Sequence, residues 1–344
     1  MSERLADIGE FGLIDRIDNL IRKEGVRSSR ITLGLGDDTA AFLPHRGYEI
    51  LITCDSLVEN RHFLSEHITP FDLGCRAMTQ NISDIGAMGG RPLYALVSLG
   101  LKRDTPVPWI EALYRGFLKE LNPLEAAIIG GNLTEAGDRL FIDITLIGEV
   151  PQGRGVRRSG AKPGDLILLT GFPGESAAGL QLLLQNGNDQ YLTTHPLVRR
   201  YLVPGHRASL GAVLARTGLV TAMIDISDGF LGDLGHICRQ SGVGAEIFIE
   251  KLPIGEALKQ AALQLRRDPY DFVLGDSDDY ELIFTCRPEH AGRLCTLADP
   301  EAQVLITEVG RITEAGGQIR LILADGSSRL TRPAGWDHFK RQEA

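Results

Sequence analysis

Five groups of acidic residues, each at the end of an apolar run or beside glycine, constrain this chain more than any other feature. They are Gly34, Gly36, Asp37 and Asp38 in GLGDDTAAF; Asp55 and Ser56 after YEILITC; Asn81 and Asp84 in NISDIGAMG; Asp225, Ser227, Asp228 and Gly229 in MIDISDG; and Asp276, Asp278, Asp279 and Glu281 in GDSDDYEL. Taken singly, each has an ordinary reading as a turn, a helix cap or a solvated loop. Together they place like charges where they repel, unless water or a cation neutralises them. Glycines beside them let backbone approach a ligand, and paired carboxylates suit Mg²⁺. There is no Walker A sequence, and Thr39 stands where a dinucleotide fingerprint requires glycine. The pattern suggests multi-magnesium phosphoryl transfer without a P-loop.

Composition narrows the class further. A length of 344 residues suggests about two domains. The chain is 43% hydrophobic and 24% charged, which fits a packed core rather than disorder. Lys+Arg is 36 and Asp+Glu is 45, a formal charge of −9. That balance argues against a nucleic-acid partner. No apolar run has the length of a membrane span, and the start lacks a signal-peptide core. Cys54, Cys75, Cys238, Cys286 and Cys295 are odd in number and never spaced C-x-x-C. They read as reduced residues of a cytoplasmic protein.

Periodicity places these groups on elements. Leu5, Ile8, Phe11, Ile14, Ile17 and Ile21 have helical spacing over 5–23. YEILITC (48–54) reads as a strand that stops at Asp55. Thr69-Pro70 opens a helix to about Met88. Residues 93–101 read as a strand and 109–121 as a helix, and 126–132 and 140–150 as strands around a tight turn. The polar RRSGAKPGD (157–165) is the best candidate boundary. Beyond it come a strand (166–171), helices near 174–185 and 205–216, a strand ending at Asp225, a helix from about 230 and a strand at 281–286. We expect an α/β or α+β chain with domains over 1–150 and 151–344. Asn81 and Asp84 share a helix face at i, i+3. The helix after DISDG would offer N–H donors toward phosphate. Gly130, Gly131 and Asn132 form an element that can bring backbone close to a ligand.

GLGDDTA, TCDSLVENRHF, NISDIGAMG, RRSGAKPGD, TGFPGESAAGL, IDISDGFLGDLGHI, DDYEL and GWDHF occur in an order that resembles the thiamine-monophosphate kinase family, within the aminoimidazole ribonucleotide synthetase-like superfamily. The resemblance covers about residues 10–339. It implies a two-domain fold, a homodimer formed by pairing N-terminal sheets, and ATP in a groove at that interface. It implies direct in-line transfer from ATP to thiamine monophosphate, assisted by Mg²⁺, giving thiamine diphosphate. By the same resemblance, Asp37, Asp38, Asp55, Asp84, Asp225 and Asp228 hold metal, with Asp84, Asp228 and Arg158 at the chemistry. Asp37, Ser56, Gly130, Gly131, Asn132, Arg158 and Ser227 meet the nucleotide. His62, Asp279 and Trp336 meet the substrate.

Three departures stand out against that pattern. GGN replaces GGD at 130–132, Asp276-Ser277-Asp278 replaces Gly-Gly-Glu, and Asn60-Arg61 precedes His62 where a smaller pair is usual. They keep two other readings open, a related ATP-dependent enzyme with another acceptor and a non-catalytic nucleotide-binding paralogue.

Overall fold

The structure is a computed structural model that describes residues 3–35, 37–186, 194–297 and 304–331. The chain divides into two compact units. One comprises residues up to Ile85 and Gly90–Gly153; the other comprises Gly86–Gly89 and the chain from Arg154.

The first unit contains α1 (Leu5–Glu24), β1 (Ile31–Leu33), β2 (Ala41–Phe42), β3 (Tyr48–Val58), α2 (Pro70–Ala87), β4 (Arg91–Leu101), α3 (Val107–Leu121), β5 (Ala127–Glu135) and β6 (Phe141–Pro151). Leu13, Ile17, Leu20 and Ile21 form the buried stripe of α1. Thr69 caps α2 as expected, its Oγ1 accepting the Asp72 N–H at 3.1 Å. Helices α2 and α3 meet backbone to backbone: a Cβ on Gly74 would stand 2.1 Å from the Leu113 carbonyl oxygen.

The sheet order is β3-β6-β4-β5. Two expectations are corrected here. The strands at 126–132 and 140–150 are not hairpin partners. Strand β5 pairs parallel with β4, and β6 lies antiparallel between β3 and β4. The helix α3 connects β4 to β5, and such a crossover delivers a parallel neighbour. Nor does the strand from Tyr48 stop at Asp55. An unbroken ladder from Tyr48↔Pro151 to Val58↔Phe141 carries β3 through Asp55 and Ser56. Long-range pairing overrides the weak strand preference of aspartate.

One sheet face is covered by helix, with Ile85 of α2 against Gly148 of β6. The opposite face is open along β3, where Tyr48, Ile50 and Ile52 are 43%, 38% and 68% exposed. Toward β5, the β1–β2 hairpin covers it, with the Phe42 and Tyr94 rings 4.6 Å apart.

The second unit contains β7 (Leu166–Thr170), α4 (Glu175–Asn186), α5 (Pro196–Leu202), α6 (Ala208–Thr217), β8 (Val220–Asp225), α7 (Phe230–Ser241), β9 (Gly244–Phe248), α8 (Glu256–Leu265), α9 (Pro269–Val273), β10 (Leu282–Cys286), α10 (Pro288–Cys295), β11 (Ile306–Thr313), β12 (Ile319–Ile322) and β13 (Ser328–Thr331). Its sheet runs β13-β12-β9-β11-β7-β10-β8. Every pair is antiparallel except β9–β12. Leu168, Leu210, Leu214, Met223, Phe284 and Leu294 belong to its core. Among the described residues, no helix is long and apolar enough to cross a membrane. All five cysteines are free.

Candidate functional site

Strand alternation decides which site residues of the first unit share a surface. On the helix-covered side, the Thr53 hydroxyl donates to the Asp84 carboxylate, joining β3 to α2. Asp55, two residues along β3, is half-buried on the same side. One turn before Asp84, Asn81 is fully buried and its Nδ2 donates to the Ala77 carbonyl at 3.2 Å. The Asn81 Oδ1 has no hydrogen-bond partner among the described residues. A buried acceptor left in this way is costly unless a ligand or ordered water meets it. This oxygen-only set of Asp55, Asp84 and Asn81 fits a hard cation such as Mg²⁺.

Ser56 points the other way, onto the open face. Its hydroxyl donates to Asp143 Oδ2 at 3.0 Å, and the Cys54 thiol donates to Asp143 Oδ1 at 3.0 Å. The Thr145 hydroxyl donates to Cys54 Sγ and lowers the thiol pKa; the Asp143 carboxylate and burial oppose it and win, leaving the pKa raised. The thiol therefore remains a donor. Sequence reasoning missed Asp143, although Asp143 and Thr145 alternate with apolar Ile142, Ile144 and Leu146 in FIDITL. Asn132 lies exposed on β5. The glycine before it is required by space, because a Cβ on Gly131 would stand 1.9 Å from the Val97 carbonyl oxygen.

Asp37 and Asp38 are exposed, and the Asp38 N–H donates to Asp37 Oδ1 at 2.8 Å. His62 Nδ1 accepts the Val58 N–H at 2.9 Å, which leaves Nε2 to carry the ring proton. Gly36 and Trp336 lie outside the described residues.

In the second unit, β8 ends at Asp225, whose side chain is 1% exposed. In the following loop the N–H groups of Ser227, Asp228 and Gly229 all donate to Asp233 Oδ2, at 3.0, 3.1 and 3.2 Å. Asp233 sits on the first turn of α7 and is 2% exposed, and burial pushes its carboxyl pKa up to about 7. Asp233 lies four to six residues along the chain from these amides, so its carboxylate reaches them as the loop turns into the helix. Ser227 is exposed and Asp228 half-buried. Arg158 is exposed.

Asp279 holds the start of α4, accepting the Gly174 and Ser176 N–H groups at 2.6 and 3.0 Å. Burial raises its pKa to about 7. Ser176 Oγ donates to Asp278 at 2.6 Å. Glu281 is buried and structural in its contacts: Arg207 meets both its oxygens, and the Thr170 hydroxyl donates to it at 2.6 Å.

Among the described residues, no three His, Cys, Asp or Glu side chains gather as a metal-holding group. The six acids expected at metal divide between the units. In the first they lie on β3, on α2 and in the 37–38 turn. Mg²⁺ commonly uses one or two carboxylates together with phosphate oxygens, as the Asp55 and Asp84 pair of the first unit could supply.

Acids on a strand and its facing helix in one unit, and a largely antiparallel sheet in the other, fit an AIR synthase-type protein. The model of the AIR synthase related N-terminal domain matches residues 36–150, and that of the C-terminal domain matches 162–322. Thiamine-monophosphate kinase of Aquifex aeolicus is 33% identical over 336 residues, 98% of this chain and 100% of the relative. The enzyme of Escherichia coli K12 is 36% identical over 336 residues, 96% and 98% of the two chains. The crystal structure of thiamine-monophosphate kinase from Stenotrophomonas maltophilia superposes with a TM-score of 0.81 at 34% identity, covering 94% of this chain and 98% of that one. AaThiL complexed with AMPPCP and TMP gives 0.74 at 34%, covering 98% and 100%. The hydrogenase maturation protein HypE shares the fold at 20% identity. The chain belongs to the thiamine-monophosphate kinase family.

Proposed function

We infer that this chain transfers the γ-phosphoryl group of ATP to the phosphate of thiamine monophosphate, producing thiamine diphosphate and ADP. Near-full-length similarity to that family supports the reaction, and the local feature that carries it is the Thr53–Asp84 contact beside Asp55 and the unpartnered Asn81 oxygen. The transfer is direct and in line. Mg²⁺, when bound, neutralises phosphate charge and restrains the transferring group.

In the domain over 1–150, Asp55 and Asp84 are the principal metal-holding carboxylates, with Asp37 and Asp38 on the adjoining turn. Gly130, Gly131 and Asn132 receive nucleotide, and the neutral His62 offers Nε2–H to the substrate phosphate. In the domain over 151–344, Asp225 and Asp228 hold metal, Ser227 and Arg158 contact phosphate, and Asp279 sets the substrate end. An arginine fork suits phosphate geometry. The exposed Tyr48, Ile50 and Ile52 support pairing of this sheet face with a second copy to form a homodimer. The reaction is cytoplasmic, and nucleic acid and membrane take no part.

The test is formation of ADP and thiamine diphosphate from purified protein, MgATP and thiamine monophosphate. Equal yields of both are expected. ADP formation that ignores thiamine monophosphate, or no turnover from folded protein, overturns the reading.

A further inference from the structure

Helix α7 ends beside the loop that carries Arg158. Ser241 is its last residue, followed by Gly242 in the left-handed conformation. A serine in a helix ordinarily turns its hydroxyl back to the carbonyl one turn earlier. Ser241 Oγ instead reaches a loop 80 residues earlier in the chain. It accepts the Gly160 N–H at 3.1 Å and the Ala161 N–H at 3.2 Å, and it donates to the Arg158 carbonyl at 3.4 Å. A hydroxyl has one proton to give and two lone pairs, so this side chain is fully committed to that loop.

Strand β8 holds the loop from the other side. The Arg157 carbonyl accepts the Met223 N–H at 3.0 Å. Gly160 lies at φ +125°, and a Cβ there would stand 2.4 Å from the Thr221 carbonyl oxygen. Only glycine lets the backbone lie this close to the strand. Arg158 therefore projects from a turn fixed to β8 before it and to α7 after it. Its guanidinium is exposed, and among the described residues it makes no ion pair. The charges beside it are cationic: burial first, then Arg239 and Arg158, lower the pKa of His236. An arginine held among like charges and left without a carboxylate is available to an anion such as phosphate.

We propose that Ser241 is a positioning residue for phosphoryl transfer: it holds the 158–161 turn so that the Arg158 guanidinium is presented to a phosphate group of the nucleotide. The proposal rests on the kinase reading above and on Arg158 meeting phosphate. One helix then sets two loops of this unit, the 227–229 loop through Asp233 on its first turn and the 158–161 loop through Ser241 on its last.

The experiment is a double-mutant cycle on the full chain with Ser241→Ala, Arg158→Ala and the pair. Alanine suits a helix, and the freed Gly160 N–H is exposed to water, so Ser241→Ala should fold and keep a urea midpoint near that of wild type. Its kcat/KM for MgATP should fall about tenfold or more, because a small displacement of a positioned group costs on that order. Ser241→Thr keeps the hydroxyl and should recover most of the loss. Since Ser241 acts through Arg158, Ser241→Ala should cost almost nothing further once Arg158 is alanine. Amide hydrogen exchange reads the anchor without the reaction: Ser241→Ala, but not Arg158→Ala, should speed exchange at Gly160 and Ala161. Unchanged kcat/KM in the folded Ser241→Ala protein overturns the proposal, as does a loss that persists in full when Arg158 is alanine. Unchanged exchange at Gly160 and Ala161 overturns it too. If the exchange pattern holds but wild-type protein makes no thiamine diphosphate, the kinase reading fails and the anchor stands.

Discussion

The Asp233 carboxylate accepts the backbone N–H of Asp228 at 3.1 Å, so a residue on the first turn of α7 holds the loop that carries Asp228, an acid we propose holds metal. The same oxygen takes the N–H groups of Ser227 and Gly229. Asp233→Ala leaves all three without their acceptor. An unsatisfied buried donor costs about 1–3 kcal/mol, and the exposed Ser227 can turn to water. We expect about 2–4 kcal/mol of lost stability on that basis, and a fall in thiamine diphosphate formation larger than the folded fraction explains. Asp233→Asn keeps an acceptor and should lose less of both. Urea denaturation alongside the kinase assay separates the two effects.

Asp55→Asn and Asp228→Asn remove charge without changing shape. Each should cut turnover by about 100-fold or more, in line with loss of an electrostatic group at a phosphoryl-transfer site. Neither should shift the melting temperature by more than a few degrees. Near-normal turnover in either variant would remove that residue from the site.

Arg207 and Glu281 form a buried pair, with Thr170 as a third member. Arg207→Ala strands the Glu281 charge, which should cost about 3–5 kcal/mol. Combining it with Glu281→Gln removes the stranded charge and should recover much of the loss. Chemical denaturation of the three variants measures this, and a double variant no better than Arg207→Ala would show that packing rather than charge dominates.

Gly131→Ala should disrupt the β4–β5 ladder, because the new Cβ meets the Val97 carbonyl oxygen at 1.9 Å and backbone must move. We expect a loss of about 1–3 kcal/mol, as for other overpacked positions, together with a raised KM for ATP through displacement of Asn132. Unchanged KM in a destabilised variant would mean that Asn132 does not meet nucleotide.

The buried Asp279 carboxyl keeps its proton up to about pH 7 in the folded chain, whereas an unfolded aspartate gives it up near pH 4. Folding binds a proton in that window, so this group's contribution is greatest at the acid end and is lost as pH rises to about 7. Wild-type protein should therefore lose stability relative to Asp279→Asn between about pH 4 and 7, and no further above. Parallel stability profiles for the two proteins would contradict this.

Local chemistry was legible wherever neighbours in sequence make the structure. Thr69 and Pro70 start α2, the apolar run before Asp225 is β8, and DISDG precedes a helix. The ordered motifs were enough to identify the family, because they span nearly the whole chain. Partner choice was not legible. The 126–132 and 140–150 strands resemble a hairpin, yet the α3 crossover places β5 beside β4 and leaves β6 for β3. The same ladder carried β3 past Asp55, and alternation then put Asp55 and Ser56 on opposite faces. Asp143 and Asp233 escaped notice for a related reason: one acquires its meaning across a sheet, the other by folding back on a loop. Residue type and short-range spacing determine turns, caps and the supply of carboxylates. Only tertiary structure decides which carboxylates face one another, because burial and long-range hydrogen bonding select partners that no local pattern encodes.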